Sequence, residues 1–297
     1  MTFNFECEVP VTPPFRLDLT TDALRRLAAN VVDVVAEDGT YSRAFANGSE
    51  STVVLVRQVD ERRLHVAVCG ADPEIAVARI ERMLGIASDL REWRRRAAQI
   101  PWLAHLADEL GGLRPPRYPD LWEALAHSIV FQQISIHAAA SIMRRLVLDL
   151  SAEIHVSGRD SLRPFPTPAL LLAAPHERLR SAGLSANKVA HLRSAAQAVE
   201  SQAITEAMLA PMASEDASAH LCGIRGIGPW SAAVVLLRGL GRLDVFPMRD
   251  SGVARSLRLL SGSPDTTVES VLDVLGPVRG MLYFHLLLGR LRNLVPG

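Results

Sequence analysis

The segment LCGIRGIGPWSAAVVLLRGLGRLDVFPMRD, residues 221–250, contains the pattern on which the interpretation of the chain depends. It predicts a helix, a tight turn, a second helix and a loop that ends in a carboxylate. Gly226 and Gly228 permit a tight turn and the close approach of another chain, and Pro229 suits the first turn of a helix. A turn that exposes N–H groups at a helix start is an anion site. Between two helices, the expected anion is a DNA phosphate.

The loop after the second helix carries two acids, Asp244 and Asp250. Asp250 stands at the end of the segment, where it could act on a nucleotide held by the turn. It could also be the N-cap of a helix that starts at Ser251, because aspartate is a common cap. For Asp244 we expect a structural hydrogen bond. The hairpin and the DVFP run at 244–247 together favour the first role for Asp250.

Several further motifs precede the hairpin: LWEAL at 121–125, SIVFQQIS at 128–135, FPTP at 165–168 and AGL at 182–184. With the hairpin and Asp250, they give the chain a resemblance to the helix-hairpin-helix DNA glycosylases over nearly its whole length. The branch it resembles is the bacterial alkylbase branch, typified by 3-methyladenine DNA glycosylase II. The resemblance implies a base excision repair enzyme that flips a damaged purine out of duplex DNA and hydrolyses its N-glycosidic bond.

Composition fits a globular protein with a substantial core, since 48% of the 297 residues are hydrophobic and 22% are charged. The formal net charge is zero, which argues weakly against nucleic acid. However, residues 222–297 carry nine basic and five acidic groups, a net charge of +4. The sequence shows no signal peptide and no run of eighteen apolar residues. We therefore expect a cytoplasmic monomer without a membrane partner, which is nucleoid-associated when bound to DNA.

The expected fold class is α+β, with a domain boundary at about residue 88. Residues 1–88 predict a small domain with an antiparallel sheet, of which β-branched runs locate two strands, Thr52–Gln58 and Arg63–Cys69. A helix is expected from Pro73 to about Gly85.

Residues 89–297 predict a mainly α-helical, two-lobed glycosylase body. Its helix-hairpin-helix occupies about 214–240 and its catalytic loop 241–252. The expected helices are Leu90–Gln99, Trp102–Leu110, Leu121–Phe131, His137–Leu150, Pro168–Ala173, His176–Ala182, Ala186–Gln202, Ser214–Cys222, Trp230–Leu240, Ser251–Leu260, Thr267–Leu275 and Val278–Leu294.

The resemblance makes Asp250 the catalytic carboxylate, because breaking an N-glycosidic bond builds positive charge on the sugar. It places the DNA wedge, which fills the gap left by the flipped base, at Gln132 and Gln133. Gln133 holds the wedge position itself, where some relatives have leucine, so it could contact the orphaned base. Both glutamines could instead cap helix ends.

For the base pocket the resemblance implies Trp230, Val234, Ser251 and Leu287. Trp230 could stack on the extruded base or belong to the core, as aromatic residues on helices usually do. The other three positions lack the aromatic residues found in relatives. Five ring-bearing residues could compensate, although the core suits each of them better: Trp122, Phe131, Tyr283, Phe284 and His285.

Phosphate binding is expected at Gly226 and Gly228 of the turn, with Arg225 and Arg249 as further contacts. The resemblance also implies a monovalent cation, Na⁺ or K⁺, bound by the main-chain oxygens of three residues of the hairpin, Cys222, Ile224 and Ile227. We expect no required cofactor. Since the chain has only three scattered cysteines, Cys7, Cys69 and Cys222, we also expect no iron–sulfur cluster.

Lysine usage bears on the type of reaction. Glycosylases that also nick the strand attack with an amine, and in the lyase branch of the family that lysine stands where this chain has Trp230. The single lysine, Lys188, precedes the hairpin, where a surface or phosphate-contacting role suits it better. We therefore expect a monofunctional glycosylase without AP-lyase activity.

Two alternatives stay open from the sequence. The pocket with fewer aromatic residues suits a glycosylase for deaminated or oxidised bases. The neutral net charge also allows a non-catalytic module that binds DNA structure, although such a module would have no use for Asp250 beside a phosphate-binding turn.

Overall fold

The computed structural model describes residues 3–47, 50–156, 161–248, 250–262 and 266–294, without the side chains of Ser251 and Ala254. Its N-terminal part is a five-stranded antiparallel sheet with the order β1-β5-β4-β3-β2. The strands are β1 (Phe5–Pro10), β2 (Asp33–Val35), β3 (Tyr41–Asn47), β4 (Glu50–Asp60) and β5 (Arg63–Cys69).

The two strands expected from β-branched runs are therefore present as β4 and β5. The pattern did not locate β1, β2 and β3. Strand β2 has only three residues, and β3 is buried along most of its length, including Ser42 and Arg43. Neither strand has the alternation of exposed and buried residues that marks a half-exposed strand.

Fifteen α-helices are present within the described residues. They are α1 (Leu17–Arg25), α2 (Pro73–Met83), α3 (Arg91–Ala97), α4 (Pro101–Glu109), α5 (Leu121–Val130), α6 (Ile136–Leu150), α7 (Pro168–Ala173), α8 (His176–Ser181), α9 (Ala186–Glu200), α10 (Glu206–Leu209), α11 (Ser214–Cys222), α12 (Pro229–Arg238), α13 (Ser251–Ser261), α14 (Val268–Leu275) and α15 (Gly280–Leu291). The expected α+β class is confirmed. Helices α1 and α10 were not expected, and a 3₁₀ turn at Gly276–Val278 precedes α15.

The helical body has two hydrophobic cores. Helices α5–α9, α11 and α12 form most of the first core. Helices α3, α4 and α13–α15 form the second, which α1 joins through Leu19 and Ala23 although it precedes the boundary expected at residue 88. Helix α12 contributes Leu236 to the first core and Leu237 to the second. It therefore joins the two lobes, and its N-terminus can reach the cleft between them.

A buried ion cluster joins the sheet to the helical body. The Arg43 guanidinium on β3 pairs with the carboxylates of Asp33 and of Glu123 on α5, and all three side chains are almost completely buried. Burial raises the pKa of Glu123, although the Arg43 charge opposes that shift. Since breaking one partner of such a cluster leaves a buried charge unpaired, the cluster fixes how the sheet sits on α5.

No single helix in the described residues is long and apolar enough to cross a membrane. The pair Val268–Val278 and Gly280–Leu291 passes that test only jointly, and it is bent by 117°.

Candidate active site

The expected helical hairpin is formed by α11 and α12, joined by a turn at residues 223–228. Gly226 has a φ of +91°, a conformation that side chains of L-residues rarely adopt. A Cβ atom on Gly226 would lie 2.2 Å from Cγ of His191, so glycine is also required by the packing. Gly228 is different, because its backbone is extended and nothing lies within 4 Å of its ideal Cβ position.

Asp250 is the N-cap of α13 and also faces the cleft. Its Oδ1 accepts hydrogen bonds from the backbone N–H groups of Gly252 (2.9 Å) and Val253 (3.1 Å). Its Oδ2 accepts a bond of 3.3 Å from Nε1 of Trp230, the second residue of α12. The capping role and a position on the cleft therefore occur together. The helix N-terminus holds one oxygen, and the other is directed to the tryptophan at the start of the hairpin's second helix.

Two connected cavities meet at Asp250 and Trp230. The larger is a cleft of about 1970 Å³, lined by the hairpin turn and by residues 131–135. The smaller is a pocket of about 170 Å³, which lies against α13 and α15. A cavity of roughly 150 Å³ can accept a benzene ring, so the pocket has the scale of a flat heterocycle. Its volume suits one base extruded from a strand that lies in the cleft.

Residues 131–135, between α5 and α6, form the wall of the cleft that faces the hairpin. The Gln132 Nε2 donates to the carbonyl of Gly226 (2.8 Å) and to Oγ of Ser231 (2.7 Å). Gln133 is exposed and has a φ of +57°. The two glutamines expected to share the wedge role are thus separated: Gln132 is bound to the hairpin, and only Gln133 projects from the wall. Ile134, 38% exposed, follows it.

Lys188 on α9 supports this wall from behind. Its ammonium donates to the carbonyl of Val130 (2.7 Å) and to that of Gln132 (2.9 Å), at the C-terminal end of α5. A cation near the carbonyls that end a helix is favourable. Burial lowers the pKa of Lys188. The ammonium is thus partly buried and bound to two carbonyls, which differs from the surface role expected from the sequence.

The expected pocket residues are only partly brought together. Trp230 and Leu287 line the 170 Å³ pocket. Val234 is not among the described residues that line it; it is 1% exposed and lies one helical turn beyond Trp230, inside the body of α12. Ser251 begins α13, but its side chain lies outside the described residues.

Other side chains complete the pocket wall. Phe131 and Tyr283, which the sequence placed more readily in the core, both line it, whereas the remaining ring-bearing candidates Trp122, Phe284 and His285 are buried elsewhere. Arg26, from the end of α1, and Arg290, on α15, also line the pocket. Nothing in the local sequence around these arginines indicated a site.

The remaining expected contacts have mixed positions. Arg225 is exposed on the turn, whereas Arg249 lies outside the described residues. Asp244 is exposed on the cleft, and within the described part of the chain its carboxylate has no hydrogen bond, contrary to expectation. No group of three His, Cys, Asp or Glu side chains among the described residues could hold a metal ion.

The three hairpin residues expected to bind a cation, Cys222, Ile224 and Ile227, all line the cleft. The Ile224 carbonyl accepts the N–H of Ile227 at 3.0 Å and keeps a second lone pair. Neutral carbonyl oxygens are donors that suit K⁺ and similar ions, so this donor set fits the cation.

Comparisons with known proteins agree with the family that the sequence resembles. Residues 126–275 match the model of the HhH-GPD superfamily of base excision DNA repair proteins. The chain is 25% identical to a DNA-3-methyladenine glycosylase of Bacillus subtilis, over 81% of this chain and 82% of that protein. It is 28% identical to DNA-3-methyladenine glycosylase 2 of Escherichia coli, over 79% and 80%. The solved 3-methyladenine DNA glycosylase of Archaeoglobus fulgidus superposes with a TM-score of 0.81 at 25% identity, covering 95% of this chain and 98% of the other.

Proposed function

Because this chain belongs to the HhH-GPD superfamily of base excision DNA repair proteins, we propose that it is a DNA glycosylase that removes alkylated purines from duplex DNA. Relatives named for 3-methyladenine, aligned over about four fifths of both chains, support this substrate class. The observation that carries the proposal is the position of Asp250. Its carboxylate stands where the hairpin cleft and the pocket of base size meet.

The geometry suggests how hydrolysis would proceed. The turn at Gly226 and Gly228 holds a backbone phosphate, and the damaged nucleotide leaves the stack and enters the pocket. As the C1′–N bond breaks, positive charge develops on the sugar. The Asp250 carboxylate stabilises that charge and orients the attacking water. A purine that carries a positive charge leaves as a neutral base, so it needs little acid catalysis.

The exposed side chain at position 133 is the proposed wedge. Gln133 lies in the wall that faces the hairpin, directly after Gln132, whose carbonyl accepts from the Lys188 ammonium and whose side-chain amide donates to the hairpin. Gln132 supports the wedge and does not itself enter the duplex. An amide at the wedge position could form a hydrogen bond with the orphaned base.

We further propose that the enzyme is monofunctional. Strand nicking by a glycosylase requires an amine that attacks C1′. The only lysine, Lys188, has its ammonium bound to two carbonyls and is not among the described residues that line the cleft or the pocket. The product would be an intact abasic site, and alkali would be needed to break the strand.

Three further expectations belong to this proposal. A Na⁺ or K⁺ ion bound by the hairpin carbonyls would bridge the turn to the phosphate, and no other cofactor would be required. The enzyme would act as a monomer, since one chain contributes both the turn and the acid. It would work in the cytoplasm on nucleoid DNA.

Asp250→Asn tests the proposal. Asparagine keeps the N-cap but lacks the charge, so base release from methylated duplex DNA should fall at least about 100-fold, with DNA binding largely retained. Release of free base is measured by chromatography, and the same reactions are divided between neutral and alkaline gels to detect nicking. Full activity of the variant would refute the role of Asp250, and strand breaks at neutral pH would refute monofunctionality.

A further inference from the structure

Arg26 occupies an unusual position in the pocket wall. It follows the last residue of α1, and its φ of 64° is a strained conformation for a residue with a side chain. The residue is only 8% exposed, yet it lines the same pocket as Trp230 and Asp250. An arginine that is both strained and almost completely buried at a cavity wall needs a reason beyond packing.

The guanidinium of Arg26 is held in place but not saturated. Its carbon Cζ lies 4.2 Å from the ring centroid of Phe131, and Nη2 donates a long bond of 3.4 Å to the hydroxyl of Tyr283. Its Nε is buried without a hydrogen-bond partner. Burial lowers the pKa of Arg26, but nearby Tyr118, Tyr283 and Asp250 more than offset it, so the group stays charged.

The pocket therefore contains more positive than negative charge. Arg290 also lines it, and an ideal Cβ on Gly252 would lie 2.1 Å from Nη1 of Arg290, which places this second guanidinium directly over the start of α13. Asp250 is the only acid among the described lining residues of this pocket. In addition, Arg26 already occupies a face of Phe131, so that face cannot stack on a positively charged base.

We propose that Arg26 is a specificity-determining residue, which shifts the pocket away from positively charged N-methylpurines and toward uncharged modified purines with acceptor atoms on their edge. Two classes of such bases are etheno-bridged adenines and 6-oxopurines such as hypoxanthine. The inference rests on the proposed glycosylase function and concerns which damaged purines the pocket prefers, with etheno-bridged adenines inside the alkylated class and hypoxanthine outside it.

The chemistry of departure gives the guanidinium a second effect. When an uncharged purine leaves, the C1′–N9 bond breaks and its electron pair moves onto the base, which departs as an anion. The oxygen of water bonds to C1′, and the proton that this water loses ends on the base. A guanidinium beside the base stabilises the transient anion. A cationic purine leaves neutral and gains nothing from it.

The test compares lesions within one protein. Single-turnover rates of base release are measured on duplexes that contain hypoxanthine, 1,N6-ethenoadenine or 7-methylguanine. In Arg26→Met, which keeps an apolar side chain of similar length, the ratio of neutral-base to cationic-base release should fall at least about tenfold, equivalent to about 1.4 kcal/mol. Arg26→Lys keeps the charge and should stay close to the wild-type ratio.

Arg25→Met is the matched control. Arg25 is the adjacent arginine, half-buried, paired with Asp22 at 2.8 Å within α1 and absent from the described pocket wall, so its loss should leave the ratio unchanged. Thermal melts check that all variants fold. Release of every lesion with an unaltered ratio in Arg26→Met would overturn this inference alone. No release of any lesion by the wild-type protein would overturn the proposed function and this inference with it.

Discussion

Gly228 offers a direct test of the hairpin as a phosphate site, through the substitution Gly228→Ser. The backbone at Gly228 is extended, with a φ of −103° and a ψ of −179°, so any residue can adopt its conformation. Its ideal Cβ position is surrounded by open space. The folded protein alone therefore gives no reason for glycine here. If DNA lies against the turn, the reason is the space that a phosphate needs.

The expected effects on stability and on binding have opposite signs. Gly228 is the N-cap of α12 without a side-chain cap, so serine should raise the free energy of unfolding by a few tenths of a kcal/mol. The same side chain would obstruct the exposed N–H groups. Loss of one hydrogen bond to a charged phosphate costs about 1.5–3 kcal/mol, so Kd for DNA should rise roughly 10- to 100-fold.

Fluorescence anisotropy with a duplex that contains an abasic site would measure Kd, and urea unfolding would measure stability. Gly226→Ala serves as the contrast, because its Cβ would lie 2.2 Å from His191 Cγ at a φ of +91°, so that variant should be destabilised. Wild-type affinity in a fully folded Gly228→Ser protein would refute the argument that the turn grips the DNA backbone.

Three further predictions concern stability. Lys188→Met removes two charge-assisted bonds to the carbonyls of Val130 and Gln132 and should lower the free energy of unfolding in urea by about 1–3 kcal/mol; no measurable change would mean that water replaces the ammonium. Asp250→Ala should unfold about 1 kcal/mol more easily than Asp250→Asn, because only asparagine keeps the cap, although both should be inactive; equal stability of the two variants would contradict the capping role. Burial lowers the pKa of His285 from 6.5 to about 4. The folded state thus favours the neutral ring, and this preference contributes up to roughly 3 kcal/mol to the free energy of unfolding. The contribution is complete above about pH 6.5 and is lost as the pH falls through 4. Urea unfolding at several pH values should show a weaker acid sensitivity in His285→Gln, and an unchanged pH dependence would exclude this histidine as the cause.

Local sequence determined the elements that carry the site. The glycine turn and Pro229 specify where α11 ends and α12 begins, because backbone conformations and first-turn preferences act within a few residues. Asp250 specifies the start of α13 in the same way. These features were predictable from the chain order alone, as was the adjacency of the turn and the acid.

Tertiary packing decided what surrounds the acid. The resemblance placed Trp230 and Val234, which are one helical turn apart, in the pocket together. Helix α12 joins the two cores, however, so Trp230 in its first turn lines the pocket, whereas Val234 in the next turn is buried. Lys188 was similarly ambiguous, because its partners are carbonyls that only the packing of α9 against α5 brings near.

The charge of the pocket could not be deduced from the chain order. Arg26 and Asp250 line the same pocket although more than two hundred residues separate them, since α1 packs between the sheet core and the second helical core. The neighbours of a residue in the sequence carry no information about such a placement, because the placement depends on how distant apolar surfaces are buried together. The sequence alone thus determined the turn, the caps and the catalytic candidate. The tertiary structure determined the pocket wall, because that wall is assembled from α1, α5, α12, α13 and α15, and their relative positions are set by burial of the two cores.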